Sequence, residues 1–267
     1  MTESAWVRGG LRVMTGVILA FLYLPLVIIG INAFNESSFM AWPPTGFSLR
    51  WFEQAIINPQ IPVAFLNSIL AALGAVSIAL VLGTLAAMAV QRFDFFGRNS
   101  ISFLLVLPIA LPGVVTGIAL STTFQTLGIS FGLMTIIVGH ATFCVVIAYN
   151  NVIARLRRLP RSPEEASADL GADTWITFRR ITMPGMRTAL LSGALLAFAL
   201  SFDEVIVTLF TAGAGTQTIP IFVLGAMQRP TALPVVNVVA LVLILISVIP
   251  VYIAQRISGG EAAGARV

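Results

Sequence analysis

The sequence contains no lysine, one cysteine, one histidine and few charges of either sign. Each scarcity excludes something. Without lysine the chain cannot build a Walker A phosphate loop, whose lysine reaches the β- and γ-phosphates, nor form a Schiff base. If ATP drives this protein, another subunit binds it. A single cysteine, Cys144, rules out an intrachain disulfide. Charged residues make up 10% of the chain, against about 25% in an ordinary soluble domain. The hydrophobic fraction is 58% and mean hydropathy is +0.97 over 267 residues. No soluble core hides that much apolar surface, so the class is an integral membrane protein.

A spanning helix needs roughly 20 apolar residues. Six segments qualify, at about 11–33, 64–90, 101–125, 132–154, 187–211 and 235–255. The expected fold is therefore all-α, a single domain over 1–267 with six transmembrane helices. The first segment contains Pro25 and lacks an A-x-A-type cleavage site, so it reads as a retained span. The arginines orient the bundle. With the N-terminus inside, the cytoplasmic pieces hold thirteen, including Arg256 and Arg266, and the outer loops hold only Arg50 and Arg229. Both termini are expected in the cytoplasm. The formal charge of +4 does not imply a nucleic-acid partner, because the arginines sit at membrane boundaries rather than on one basic face. Membrane lipid is the partner that composition implies.

Outer loop 34–63 is aromatic (Phe39, Trp42, Phe47, Trp51, Phe52), and its tail SLRWFEQAI suits a short interfacial helix. An aromatic belt and a docking surface both fit it. Outer loop 212–234 holds IPIFVLGAM, too short to span and suited to a short surface helix. The third span reads LPIALPGVVTGIAL, with Pro108, Pro112, Gly113 and Gly117 near its middle. A proline kink and a discontinuous helix beside a transport pathway both fit.

Between the fourth and fifth spans lies a polar island at about 162–184. Ser162 at the N-cap, Pro163 at the first helical position and Glu165 three residues on read as a capping box. Glu164 and Glu165 suit a helix N-terminus. Gly171 is the expected C-terminal cap, Asp173 or Thr174 starts a second helix, and Pro184 is expected to end it. Trp175, Phe178 and Ile181 share a face. The island is thus expected to be a helix–turn–helix, against the alternative of an amphipathic loop at the headgroups.

This island resembles the signature cytoplasmic loop of the permease subunits of binding-protein-dependent ABC transporters. That pattern is E-A-A, three residues, G, nine residues, I, one residue, L-P. It falls here on Glu165, Ala166, Ser167, Gly171, Ile181, Met183 and Pro184, with Ser167 and Met183 as mild departures. Residues from about 47 to 255 are similar to the spermidine/putrescine branch, most clearly in GHATFC (139–144), EEASADLGA (164–172) and LLAFALSFDEVIVTLFTAG (195–213). The resemblance implies an importer subunit in a bacterial inner membrane, carrying polyamines or another small amine or amino-acid-like solute. It implies a second homologous permease, two ATP-binding subunits that hold ATP and Mg, and an extracytoplasmic solute-binding protein. In that family the loop docks on the nucleotide-binding subunit, which makes Glu165, Ala166, Ser167, Gly171, Ile181 and Pro184 the coupling candidates.

Asp203 and Glu204 fall inside the fifth span, each at roughly 2.5–3.5 kcal/mol on insertion scales. In a continuous helix Ser201, Glu204, Thr208 and Thr211 form one stripe, extended by Gly193 and Ala197. A small-then-polar stripe suits a passage for a cation. Asp203 lies about 100° away, where contact with another helix is the alternative to facing the passage. Ser201, Asp203, Glu204 and Thr208 are the pathway candidates, with pairing between helices as the alternative. Relatives in the branch often carry an acid after the third-span proline, where this chain has Gly113. His140 and Cys144 stand at i and i+4. They lack further metal ligands and an orienting acid, so a buried interhelical contact is expected, with an intramembrane Cys–His enzyme as the rival. A stand-alone channel or secondary transporter is the other rival.

Overall fold

The structure is a computed structural model that describes residues 5–38 and 42–246. Phe39, the arginines at 256 and 266, and the last part of the expected sixth span lie outside the described residues. The chain divides into two compact units, one drawn from Met1–Pro62 with Phe222–Ile246, the other from Val63–Ile221. Among the described residues every regular element is helical, and an isolated antiparallel bridge joins Asn35 and Phe47.

In the first unit, helix α1 spans Ala5–Phe34 and exposes nearly all of its apolar surface. Pro25 sits inside it. The chain then turns back on itself: Ser48 N–H donates to Phe34 C=O at 2.7 Å, and Glu36 N–H to Gly46 C=O at 2.9 Å. The expected short helix is present as α2, Arg50–Ile57. Trp51 anchors it, burying its ring and donating Nε1–H to Asn35 C=O at 2.7 Å. Ala33, Trp51, Ala55 and Val238 form this unit's core. Its last helix covers residues 233–246, the described part of the sixth apolar segment.

In the second unit, α3 (Gln60–Arg92), whose first turn lies in the first unit, and α6 (Leu133–Leu156) are full-length spans. Small residues let them approach closely. A Cβ on Gly83 would stand 2.8 Å from both Ala148 Cβ and Tyr149 N, the small-residue contact that replaces hydrophobic driving force in lipid. The third apolar segment is broken rather than kinked. Helix α4 (Arg98–Ala110) and α5 (Gly113–Thr126) meet at 103° across Leu111–Pro112, whose backbones are extended. Pro112 cannot donate to Pro108 C=O, and its ring disfavours helical geometry at Leu111.

The polar island forms α7 (Ser162–Asp169) and α8 (Thr174–Thr177). A π turn at Phe178–Thr182 then leads into α9 (Met183–Phe202), with α10 (Ile206–Thr211) beyond a short break. Helix α11 (Ile219–Met227) is the short apolar helix expected in the second outer loop. Among the described residues, four helices are long and apolar enough to cross a membrane, or five with the bent pair counted as one span.

Candidate functional site

The island is a folded hairpin. Pro163 lies in the first turn of α7, as its missing N–H allows. The expected capping box is not formed: α7 begins at Ser162 itself, Arg161 precedes it in helical geometry, and no side chain caps the end. Glu164 is drawn elsewhere. Its Oε1 accepts from Arg92 Nη2 at 2.6 Å and from Thr182 Oγ1 at 2.8 Å. The C-terminus closes as expected. Gly171 takes φ +79°, its N–H donates to Ala168 C=O at 2.9 Å, and Ala172 N–H donates to Ser167 C=O at 3.0 Å. Those two bonds make a Schellman motif. Asp173 starts α8, its Oδ1 accepting from Ile176 N–H at 2.7 Å.

Ser167, where the family pattern has alanine, is buried and hydrogen-bonded to Thr177 Oγ1 at 2.9 Å, which pins α7 to α8. Pro184 does not end the second helix. Helical structure runs on from Thr174 to Phe202, because the π turn adds one residue and lets Met183 N–H bond Phe178 C=O. The chain enters the proline already offset, a usual accommodation. Glu165, Ala166 and Gly171 are exposed and Ile181 is half-buried. Phe178 turns inward against the core around Leu156 and Met186. Leu170 at 88% exposure and Trp175 at 64% stay outside. Leu170 was not singled out from the sequence; its place beside the glycine cap was the available signal.

The second candidate region is the fifth apolar segment, which is not one helix. It breaks at Asp203–Val205, so the expected stripe from Ser201 to Thr211 is not continuous. Its upper, small part does not face a passage: Gly193 lies against Ala148 and Asn151, and Ala197 is buried in the core with Cys144. Small residues there serve the contact of α9 with α6.

The break gives the two acids different surroundings. Glu204 is half-buried, and its Oε1 accepts from Val207 N–H at 2.9 Å, closing the free start of α10. Asp203 is exposed, and among the described residues its carboxylate makes no hydrogen bond or ion pair.

His140 spans the break from α6. Its Nδ1 lies 2.7 Å from Ser201 Oγ and its Nε2 2.8 Å from Thr208 Oγ1. Thr208 Oγ1–H donates to Glu204 C=O at 2.9 Å, so it accepts from Nε2–H. Nδ1 is then the acceptor for Ser201 Oγ–H, which assigns the Nε2–H tautomer. Both ring nitrogens are occupied, and Cys144 Sγ lies 3.5 Å from Ala197 C=O. No Cys–His dyad forms. The two breaks also meet: a Cβ on Gly113 would lie 3.4 Å from Ile206 Cγ2, and one on Gly117 2.5 Å from Phe210. An open depression of about 360 Å³ in the first unit is lined by Val27, Gly30, Ile31, Phe34 and Phe47 and offers no charged group to a cation.

Broken helices that meet inside an apolar helical bundle are a usual feature of membrane transport proteins. The model of the family described as "Binding-protein-dependent transport system inner membrane component" matches residues 79–259, and the chain belongs to that family. It is similar to the spermidine/putrescine transport system permease proteins PotC of Haemophilus influenzae (31% identity, 91% of this chain and 93% of that one) and Escherichia coli (32%, 96% of each). It is also similar to the putrescine transport system permease protein PotI of Escherichia coli (36%, 78% and 76%). Among solved structures, a bacterial ABC transporter that imports alginate shares the fold at TM-score 0.74 and 16% identity, covering 97% of this chain and 98% of that one. The protein is thus a multi-pass inner-membrane component of a binding-protein-dependent system, with the permease fold of ABC importers.

Proposed function

We propose that this chain is one of two homologous permeases of an ABC importer that carries putrescine and spermidine inward. Two cytoplasmic ATP-binding subunits would drive it, and an external solute-binding protein would deliver the substrate. The 31–36% identity to polyamine permeases over most of the chain supports that substrate class. The observation that carries the ATP-driven reading is the α7–α8 hairpin. It is polar, locked by a Schellman turn and an N-cap, and exposes Glu165, Ala166, Leu170 and Trp175. A hairpin so constrained transmits force without folding first. On this reading the loop and both termini are cytoplasmic, as the arginine distribution favours. Glu165, Ala166, Gly171, Ile181 and Pro184 belong to the coupling element, with Ser167 holding its two helices together.

Asp203 is the acid that meets the cationic substrate in the pathway. Glu204, Ser201 and Thr208 shape the break that presents it. Gly113, beside that break, lacks the acid common in the branch, so Asp203 carries more of the substrate's charge in this chain. The test is a cysteine cross-link. Ala166→Cys in a Cys144→Ala background should cross-link to the ATP-binding subunit in the assembled complex. Failure at every exposed position of α7 would remove the coupling reading.

A further inference from the structure

The hairpin is joined through the chain to α6 on one side and to α9 on the other. Nothing covalent links it to α3, yet α3 touches it through a built contact. Arg92, the last residue of α3, reaches Glu164 with Nη2 at 2.6 Å of Oε1. The same oxygen accepts from Thr182 Oγ1 at 2.8 Å. One carboxylate oxygen therefore ties the end of α3, the first turn of α7 and the π turn that leads into α9. Beside it, Arg161 Nη2 donates to Gln91 C=O at 3.1 Å. Both members of the ion pair are largely shielded, with side chains 13% and 21% exposed. Apolar contacts also link these elements, since Phe178 and Leu159 pack against a buried cluster that includes Ala87 and Val90 of α3. Such packing is non-directional and permits sliding, whereas a charge-assisted hydrogen bond fixes position. Arg92 Nε has no partner among the described residues. The contact is thus a single-nitrogen pivot, not a bidentate clamp.

We propose that the Arg92–Glu164–Thr182 clasp is the joint that transmits movement of the coupling hairpin to α3, which makes Arg92 a positioning residue of the energy-coupling machinery. The proposal rests on the reading of α7–α8 as the ATPase contact. It adds that α3, not only the covalently linked α6 and α9, is driven by that contact. Without the clasp the hairpin still docks and ATP is still hydrolysed, but α3 no longer follows.

The experiment uses the complete transporter in proteoliposomes, with uptake of labelled putrescine and ATP hydrolysis measured together. Arg92→Gln and Glu164→Gln are each expected to keep the Ala166→Cys cross-link and most of the hydrolysis, while uptake per ATP falls at least tenfold. Arg92→Lys, which supplies a cation to the same single oxygen, should retain most of the coupling. The charge-exchanged pair Arg92→Glu with Glu164→Arg should recover most of what either neutral variant loses. Unchanged uptake per ATP in both neutral variants overturns the proposal. So does an Arg92→Lys variant as uncoupled as Arg92→Gln. Loss of the cross-link in the parent background would instead sink the coupling reading itself, and this proposal with it.

Discussion

Two adjacent carboxylates with opposite assignments allow a sharp comparison. Asp203 is exposed and, among the described residues, unpaired, so Asp203→Asn removes a charge without breaking an internal bond. Its effect on stability should stay within about 0.5 kcal/mol, as for ordinary exposed sites. A hydrogen bond to a charged group is worth about 1.5–3 kcal/mol. At about 1.4 kcal/mol per decade, losing one to a polyamine ammonium raises the substrate concentration for half-maximal uptake roughly 10- to 150-fold. Glu204→Gln behaves differently. A glutamine oxygen still accepts from Val207 N–H, but a neutral acceptor is weaker, so the start of α10 loses about 1 kcal/mol. The expected result is a lower melting temperature in detergent with a smaller change in apparent affinity. The assay is putrescine uptake over a concentration series, paired with thermal unfolding of the purified complex. If Asp203→Asn leaves the half-saturation point unchanged while Glu204→Gln shifts it tenfold, the assignment drawn from the break is wrong.

Other consequences follow from single contacts. His140→Leu strands the Ser201 hydroxyl and the acceptor side of Thr208. At about 1–3 kcal/mol per unpaired buried group, it should lower thermal stability clearly and slow uptake; an unchanged melting curve would show that the break does not depend on this pin. Gly83→Val forces apart α3 and α6 where they touch. It should cost about 1–3 kcal/mol or more by overpacking, read as reduced yield of folded complex, and full yield would contradict the close approach. Cys144→Ala removes a thiol that takes no part in a dyad, so uptake should persist. Its loss would reopen the enzyme reading.

Local chemistry was legible in the sequence where one residue decides the outcome. Gly171 and Asp173 punctuate the hairpin as their types require, and both bonding patterns are present. The helix at Arg50–Ile57 follows from the interfacial pattern of SLRWFEQAI, and that at Ile219–Met227 from an apolar run too short to span. Pro112 marked the third segment, but periodicity alone could not separate a kink from a 103° break. The fifth segment misled because SFDEV contains no proline or glycine to signal an interruption. Its break is held by tertiary contacts, His140 above all, whose partners lie more than 60 residues away. In a continuous helix Ser201, Glu204, Thr208 and Thr211 share a stripe and Asp203 lies off it; the break separates that stripe into two pieces. The capping box failed for the same kind of reason: Arg92, 72 residues upstream of Glu164, pairs with the first turn of α7. Long-range polar partners override local rules and leave little trace in a single sequence.

The central claim is that ATP hydrolysed by a partner moves polyamine past this chain through the α7–α8 hairpin. The most direct test is putrescine uptake into proteoliposomes holding the full complex, with and without ATP, for the parent chain and for Gly171→Asp. The glycine's φ of +79° disfavours any side chain, although the space around it is open. The variant should therefore insert and assemble but lose its Schellman geometry. The account predicts ATP-dependent uptake that spermidine competes and glutamate does not, with hydrolysis uncoupled from transport in Gly171→Asp. Uptake that proceeds without the ATP-binding subunits, or that is unaffected by Gly171→Asp, would contradict it.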